Sequence, residues 1–549
     1  MQQTFGAIGM NWESVRVKEG LKTWLISALL VLPALFPYYT HYFVKTDGLI
    51  PTGFIQFDQP FYMGNAREHF DNGSFRLTYS NPASPYYDSP AIYFQPQTLF
   101  WGALWRLTGW NPGFIFVATG LIAGVVCMRM ALAVYKAVVG LDAWPEWLGL
   151  VIFCWGGGLL ALAGILFNLI TQQFDHSIFR FDPFDGWWFL NLGRNLIYPS
   201  EAIYHAFFLG IVVCVIKKRF GLALLLAFVL SFSHPYTGIE LLAILSAWAF
   251  LEVVLLRNRE VPVSFLICLA VLSGLHLGYY LGFLKQFPEH RSLQSQTELP
   301  WTLSIKNILP AYSLVGGFAI WSIFRRPGVK IFFQSSLNRL LLVWFFVAFL
   351  LANHELFMRP IQPLHFTRGY IWMPLFLLGA RSLTDLFAHL GSRKQSILKF
   401  ASISLLVLVF LADNALWLGS FPSKGWYGFR LTHDEKELYG WFSSPENSRA
   451  IVISEDNMIG YFSTVYSPLR AWCSHYSNTP EFNQRQEEVR QFFRGAPPLA
   501  EWQRVTLLIV SPSSKPFNTA SMSAANGEIT TPFHNSSFTV VRVKPKEIF

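Results

Sequence analysis

Residues 45–97 read KTDGLIPTGFIQFDQPFYMGNAREHFDNGSFRLTYSNPASPYYDSPAIYFQPQ, and the interpretation of the fold starts from this stretch. It follows the first long apolar segment of the chain and is rich in aromatic side chains and proline. A connector between two membrane helices needs only a few residues, whereas this stretch holds about fifty. Loops of this length at a rigid scaffold usually carry a binding or catalytic site. Asp58 lies early in the loop, between Phe57 and Gln59.

Composition predicts a membrane protein. Hydrophobic residues make up 52% of the 549 residues and charged residues only 14%, whereas soluble domains are about 25% charged. The apolar residues form blocks of about 20, the length that crosses a bilayer as a helix. We therefore expect an all-α polytopic membrane domain with about eleven spans. The predicted spans are 21–43, 112–135, 146–169, 203–216, 220–234, 239–256, 261–284, 308–324, 338–357, 369–390 and 397–418.

Basic residues in the short connectors predict the orientation. Residues 217–219 (KKR) join the fourth and fifth spans, and Arg257 and Arg259 join the sixth and seventh. Because basic residues mark cytoplasmic ends, the N-terminus is expected in the cytoplasm and the C-terminal tail outside. The net charge of +9 is then explained by contacts with membrane lipids, and nucleic-acid binding is not expected. Cys473 is the only cysteine of the tail, and a tail without disulfide candidates favours a bacterial inner membrane and a periplasmic tail.

The tail has the pattern of a small α/β domain. Charge density rises after Ser420, and helical and strand patterns then alternate. We therefore divide the chain into a membrane domain, 1–418, and an outer domain, 419–549. No glycine-rich phosphate loop or nucleophile motif occurs in the tail, which favours a docking or lid domain over a second active site. The predicted helices are 433–442, 457–466 and 481–493, and the predicted strands are 450–454, 505–510 and 538–543.

Four predicted loops face the outside and would together enclose a vestibule. Their acids and bases would lie at the depth of the outer headgroups. Ionisable residues at this depth are functional candidates, because burying them is unfavourable. The loops are 45–97, 171–200, 286–306 and 353–370.

Two stretches resemble a known family. They are FIQFDQPFYMGNARE, residues 54–68, and HFTRGYIWMPLFLLGA, residues 365–380. With a cytoplasmic N-terminus, one span and a large outer loop carrying an early Asp, the chain resembles the membrane glycosyltransferases of the C superfold. These include protein O-mannosyltransferases, aminoarabinose transferases and oligosaccharyltransferases. The sequence has neither a DEx signature after the first span nor a WWDYG motif, so the subfamily stays open.

The resemblance implies a reaction. A polyprenyl-phosphate sugar would enter from the outer leaflet, and a hydroxyl or amine of a glycan, lipid or protein acceptor would attack its anomeric carbon. One displacement without an enzyme nucleophile inverts that carbon. Asp58 matches the position of the family's general base. The alternative is that Asp58 caps the helix expected to start at Gln59 and Pro60.

The resemblance also points to a phosphate ligand. Arg368 lies at the outer end of the tenth predicted span, where the superfold places a donor-binding Arg, and a guanidinium can grip two phosphate oxygens. Arg359 and His365 are weaker candidates beside it. The alternative for Arg368 is an interfacial Arg that anchors the chain at the membrane surface.

A second acidic group lies in the outer loops. Asp175, Asp182 and Asp185, together with Glu68, could orient the acceptor or hold a divalent cation. The spacing matches no known metal loop, so a solvated loop face is the alternative and the need for a metal stays open.

Other functions remain open at this point. A transporter or lipid flippase would need polar or broken helices at mid-membrane and a repeat between the two halves, and no repeat is evident. A lipid-linked ligase or polymerase would use a diphosphate donor, and a scaffold would use the tail to bind partners. Whether Asp58 and Arg368 share one site separates these interpretations.

Overall fold

The computed structural model describes residues 12–44, 46–71, 73–296, 301–325, 329–392, 396–420, 428–519 and 528–545. Its helices are α1 Trp12–Val31, α2 Phe36–Phe43, α3 Gln59–Glu68, α4 Pro96–Thr108, α5 Pro112–Val138, α6 Trp144–Trp155, α7 Leu160–Thr171, α8 Leu192–Asn195, α9 Pro199–Ile216, α10 Phe220–Ser233, α11 Pro235–Phe250, α12 Val263–Leu277, α13 Pro288–Gln296, α14 Ile305–Arg325, α15 Val329–Gln334, α16 Ser336–Ala352, α17 Trp372–Gly391, α18 Ser396–Ser420, α19 His433–Phe442, α20 Asn457–Tyr466 and α21 Phe482–Phe493. Its strands are β1 Ile50–Pro51, β2 Arg430–Leu431, β3 Ile451–Ser454, β4 Arg470–Ala471, β5 Leu507–Pro512, β6 Ile529–His534 and β7 Phe538–Val543.

Each predicted span coincides with helix. Within the described ranges, seven helical segments are long and apolar enough to cross a membrane as single spans. Two further predicted spans, α10 and α16, are shorter apolar helices, and 369–390 corresponds to α17. The single spans are Gly20–Phe43, Pro112–Val138, Pro199–Ile216, Pro235–Leu255, Val263–Gln286, Ile305–Arg325 and Ile397–Ser420.

The third predicted span is bent. Helices α6 and α7 meet at 70°, and the glycines at 156–158 separate them. A Cβ on Gly158 would lie 2.3 Å from the backbone oxygen of Pro310 in α14, so only glycine fits there. Asp413 of α18 then accepts the backbone N–H of Ala161 at 2.7 Å and satisfies the start of α7.

Small residues let the membrane helices pack closely. A Cβ on Gly120 of α5 would lie 2.4 Å from the Cβ of Pro199 at the start of α9. A Cβ on Gly379 of α17 would lie 2.8 Å from the backbone nitrogen of Ala319 in α14. Close approach of this kind drives helix association in lipid, where apolar burial alone contributes little.

The tail forms a five-stranded sheet in the order β4-β3-β5-β7-β6. Strands β4, β3 and β5 are parallel, and β7 and β6 continue the sheet antiparallel. The three predicted helices and three predicted strands are present. The prediction missed β4, which has only two residues, and β6, whose sequence ITTPFH contains a proline.

The outer loop and the tail pack against each other. Strand β1 of the loop pairs with β2 of the tail, and Phe54, Met63 and Trp101 share a hydrophobic core with Phe462 and Leu469. The division into 1–418 and 419–549 stays a prediction. The surfaces that face each other are those of the 45–97 loop and the tail sheet.

Candidate active site

The Asp58 carboxylate lies where the outer loop meets the tail. Asp58 directly precedes α3, but its side chain accepts no bond from a described backbone N–H of that helix. Instead, its Oδ1 is 3.1 Å from Nε2 of His475 and its Oδ2 is 2.9 Å from Nε2 of Gln56. The side chain is 49% exposed. Asp58 therefore presents an accessible carboxylate that two polar side chains hold in place.

His475 comes from the tail segment between β4 and α21, and its ring is fully buried. The ring packs against Phe57 at 4.7 Å and against Phe61 at 5.3 Å. Tyr461 meets it edge-on at 5.0 Å, and Tyr476 stacks on it at 5.2 Å. The ring thus has a fixed orientation toward Asp58.

The pKa of Asp58 is governed by opposing effects. Burial raises the pKa of this carboxyl, while the hydrogen bonds of His475 and Gln56 and the charge of Arg368 lower it. The net effect lowers the pKa below its ordinary value, so Asp58 is ionised at neutral pH. An ionised carboxylate can accept a proton.

Arg368 lies in the loop before α17. Its Nη1 donates to Oε1 of Glu201, at the start of α9. Its guanidinium carbon lies 4.5 Å from the ring centroid of Trp188. Nε has no hydrogen-bond partner among the described residues, and the side chain is 17% exposed. Nε itself is buried, Glu201 engages Nη1, and the guanidinium keeps further N–H donors for a ligand at its exposed part.

Two tyrosines lie within electrostatic range of both Asp58 and Arg368. Tyr62 of α3 and Tyr198, directly before α9, each interact electrostatically with Asp58, Glu201 and Arg368. Burial raises the pKa of Tyr62 to about 12, so its phenol stays neutral. The base candidate and the phosphate-ligand candidate belong to one polar cluster.

The two neighbours of Arg368 are placed differently. His365 stacks on Tyr236 at 4.3 Å and meets the Trp188 ring edge-on at 5.1 Å. It therefore packs on the ring that Arg368 covers, and its Nδ1 has no hydrogen-bond partner in the described part of the chain. Arg359 is exposed. The structure brings His365 to the cluster and leaves Arg359 at the surface.

The acidic group is dispersed. Asp182 forms a fully buried ion pair with Arg194, with 2.7 Å between Oδ2 and Nη2. Asp175 and Asp185 are exposed. Glu68 pairs with Arg470 of the tail, with 2.9 Å between Oε2 and Nη2. In the described ranges, no three His, Cys, Asp or Glu side chains are arranged to hold a metal ion.

The sequence interpretation missed two members of the cluster. Glu201 was not predicted as a site residue, yet it pairs with Arg368. His475 is 417 residues away from Asp58 in the chain, so no local spacing connects them.

Comparison with known proteins identifies the fold. A scan against protein-family models finds no match, and a search of the curated proteins finds none. Among solved structures, the chain is similar to the Archaeoglobus fulgidus oligosaccharyltransferase in the apo form, with a TM-score of 0.50, 13% identity, and 90% of this chain and 69% of that chain covered. The same enzyme with Zn and sulfate gives a TM-score of 0.48, 12% identity, and coverage of 89% and 68%.

At this identity the likeness concerns the fold alone. It confirms the predicted fold class, an all-α polytopic membrane domain with a small α/β domain at its C-terminal end.

Proposed function

We propose that this protein is an integral membrane glycosyltransferase that transfers a sugar from a polyprenyl-phosphate donor to an acceptor, with inversion. One observation carries the proposal. The accessible, ionised Asp58 carboxylate lies in the same polar cluster as Arg368, whose side chain is 17% exposed and is held by Glu201 through Nη1. A base and an anion ligand in one site are what a single displacement at a sugar phosphate requires. The fold, shared with an oligosaccharyltransferase, is consistent with this chemistry.

Arg368 would bind the donor phosphate. Its Nη1 already donates to Glu201, which holds the guanidinium in place. The Trp188 face beneath it favours a cation. The 17% of the side chain that is exposed would meet the phosphate oxygens, and hydrogen bonds between charged groups are the strong ones. Arg368 would stabilise the phosphate as it leaves.

The reaction follows from this arrangement. Asp58 takes the proton of the acceptor hydroxyl or amine while the acceptor atom bonds to the anomeric carbon. The bond between that carbon and the phosphate oxygen breaks, and polyprenyl phosphate leaves against Arg368. Since no three candidate ligands cluster in the described ranges, we route no step through a metal and leave metal dependence open.

The acceptor is a glycan, lipid or protein on the outer face of the membrane. The orientation proposed here, with a cytoplasmic N-terminus and a periplasmic tail in a bacterial inner membrane, rests on the basic connectors. Lys218 in one connector pairs with Glu260 in another, with 2.9 Å between Nζ and Oε1. The connectors therefore lie together. Because α9 begins beside Glu201 in the candidate site and ends at the 217–219 connector, they lie at the opposite end of this helix from the site.

The decisive test is release of polyprenyl phosphate. The purified protein in lipid nanodiscs is incubated with polyprenyl-phosphate sugars and with polyprenyl-diphosphate sugars, together with a membrane-glycan acceptor fraction. We expect release from the monophosphate donors only, and the Asp58→Asn protein as control should release it about 10²-fold more slowly or less. Consumption of the diphosphate donors alone would indicate a lipid-linked ligase. Passage of intact donor across proteoliposomes without release would indicate a transporter.

A further inference from the structure

The hydrogen bonds around His475 determine which ring nitrogen carries its proton. Nδ1 lies 3.2 Å from the backbone nitrogen of Ser477 and 3.0 Å from Nδ2 of Asn478. Both of these are donors, so Nδ1 accepts. The neutral ring then carries its proton on Nε2, which lies 3.1 Å from Oδ1 of Asp58. The buried ring aims its one N–H at the accessible carboxylate.

Contacts with the outer loop hold the His475 segment in place. Nδ2 of Asn81 in the loop donates to the carbonyl of Asn478 at 2.8 Å. The hydroxyl of Tyr461 donates to the carbonyl of Phe57 at 2.6 Å and accepts the N–H of Phe61 at 2.9 Å. The backbone on both sides of Asp58 is thus tied to the tail from which His475 comes.

We propose that His475 is a positioning residue for Asp58, and that the tail thereby completes the active site. The proposal rests on the proposed role of Asp58 as general base. His475 holds Oδ1 and Gln56 holds Oδ2, so the plane of the carboxylate is fixed. Each carboxylate oxygen keeps a further lone pair, and the exposed side of the group faces the acceptor. The acceptor proton goes to Asp58, and Nδ1 of His475 accepts the backbone N–H of Ser477 with the Ser477 hydroxyl beside it at 3.1 Å.

The tail thus does more than cover the site. An ordinary lid would contact Asp58 through apolar groups alone, whereas this tail contributes the hydrogen bond that orients the base. Detachment of the tail would leave the Asp58 side chain free to rotate, and misorientation of a general base lowers turnover.

Other groups facing Asp58 keep their charge state through the acid range. They are Tyr461 and Tyr476 from the tail, Tyr62 from α3, Tyr198 before α9, and Arg368. Burial raises the pKa of each of these phenols, so they stay neutral, and the guanidinium stays charged. His475 is the direct donor to Asp58 from the tail. Because a donor to the carboxylate lowers its pKa, loss of His475 raises it, and the acid limb of the pH–rate profile moves to higher pH.

Two substitutions separate positioning from packing. His475→Gln places an amide N–H where Nε2 lies, whereas His475→Asn reaches only as far as Nδ1. We expect His475→Gln to keep turnover within a few-fold of wild type. His475→Asn should lose about 10- to 100-fold in kcat, the value of one hydrogen bond to a charged group. The acid limb of its pH–rate profile should move to higher pH by about one unit.

Tyr87→Phe is the matched control. The Tyr87 hydroxyl of the loop donates to the carbonyl of Ala450 at 2.9 Å and accepts the N–H of Arg470 at 3.1 Å. Its loss removes two hydrogen bonds between loop and tail without touching Asp58, so it should lower thermal stability and leave the acid limb in place. The proposal would be overturned if His475→Gln and His475→Asn lost turnover equally and the acid limb of the pH–rate profile did not move. His475 would then be a packing residue. Absence of polyprenyl phosphate release by the wild-type protein would overturn the proposed function itself.

A second measurement does not depend on activity. ¹⁵N NMR of histidine-labelled protein, with His475→Gln for assignment, reports which ring nitrogen is protonated. We expect the Nε2–H tautomer of His475, and its resonance should shift in Asp58→Asn. An Nδ1–H tautomer would refute the proposed hydrogen bond whatever the activity of the variants.

Discussion

Substitution of Arg368 by Lys separates a phosphate ligand from a membrane anchor. In the structure, one edge of the guanidinium binds Glu201 and Nε has no described partner. A Lys ammonium is a single point charge and cannot serve both groups with this geometry. We therefore expect Arg368→Lys to lose one hydrogen bond to a charged oxygen. Such a bond contributes about 1.5–3 kcal/mol, which corresponds to about 10- to 100-fold in donor affinity.

Substitution by Ala has a second effect that the structure makes visible. The Glu201 side chain is only 3% exposed, so Arg368→Ala would leave a buried carboxylate unpaired. Breaking a buried pair in this way destabilises a protein by about 3–5 kcal/mol. The double variant with Glu201→Gln removes the stranded charge, and it should recover most of the thermal stability while donor affinity stays low.

The assay measures donor titrations and thermal unfolding for Arg368→Lys, Arg368→Ala, Glu201→Gln and the double variant. If Arg368 is a phosphate ligand, the three variants that lack it should bind the donor more weakly. Glu201→Gln should keep its donor affinity. An interfacial anchor predicts that Lys substitutes fully, since both side chains reach the headgroups. Wild-type donor affinity in Arg368→Lys and in the double variant would refute the phosphate assignment.

Three other predictions follow from the same contacts. Asp58→Asn keeps the shape of the side chain, so the protein should fold and its turnover should fall by about 10²-fold or more; wild-type turnover would exclude a general base. Arg470→Ala breaks a buried ion pair with Glu68 and should destabilise the protein by about 3–5 kcal/mol, with faster proteolysis of the tail. Arg490→Ala is the control, because its ion pair is exposed, and it should change stability by about 0–1 kcal/mol. A membrane-impermeant thiol reagent added outside should label a cysteine at position 436 and miss one at 218, and labelling at 218 would reverse the proposed orientation.

The membrane helices were predictable because they depend on local composition. A run of apolar residues has to be helical in lipid whatever lies elsewhere in the chain. The break between α6 and α7 was not predictable, because it depends on Asp413, more than 250 residues further along, accepting the N–H of Ala161. The tail helices followed from local signals such as the capping box of Thr432 and Glu435, whereas β4 is too short to carry a pattern.

The candidate site was predictable only in part, for the same reason. Asp58 and Arg368 each lie in a stretch that resembles the family, so each could be named from sequence. Their partners could not, because Glu201 and His475 come from other elements and only the folded chain brings them near. The sequence predicted that the tail serves for docking or as a lid. Nothing in the local sequence indicated that His475, between β4 and α21, would contact Asp58.

Burial distinguishes the structural ion pairs from those of the candidate site. Arg194 and Asp182 have side chains that are 0% exposed, and Arg470 is 5% exposed with its charge spread over Glu68, Ser80 and loop carbonyls. No ligand can reach either pair without unfolding the surrounding structure. Arg368, at 17% exposure, and Asp58, at 49%, are different, since each is held on one side by a buried partner and open on the other. The buried partner supplies orientation and the open side supplies chemistry, and in this chain these two residues share one polar cluster at the junction of loop, tail and membrane helices.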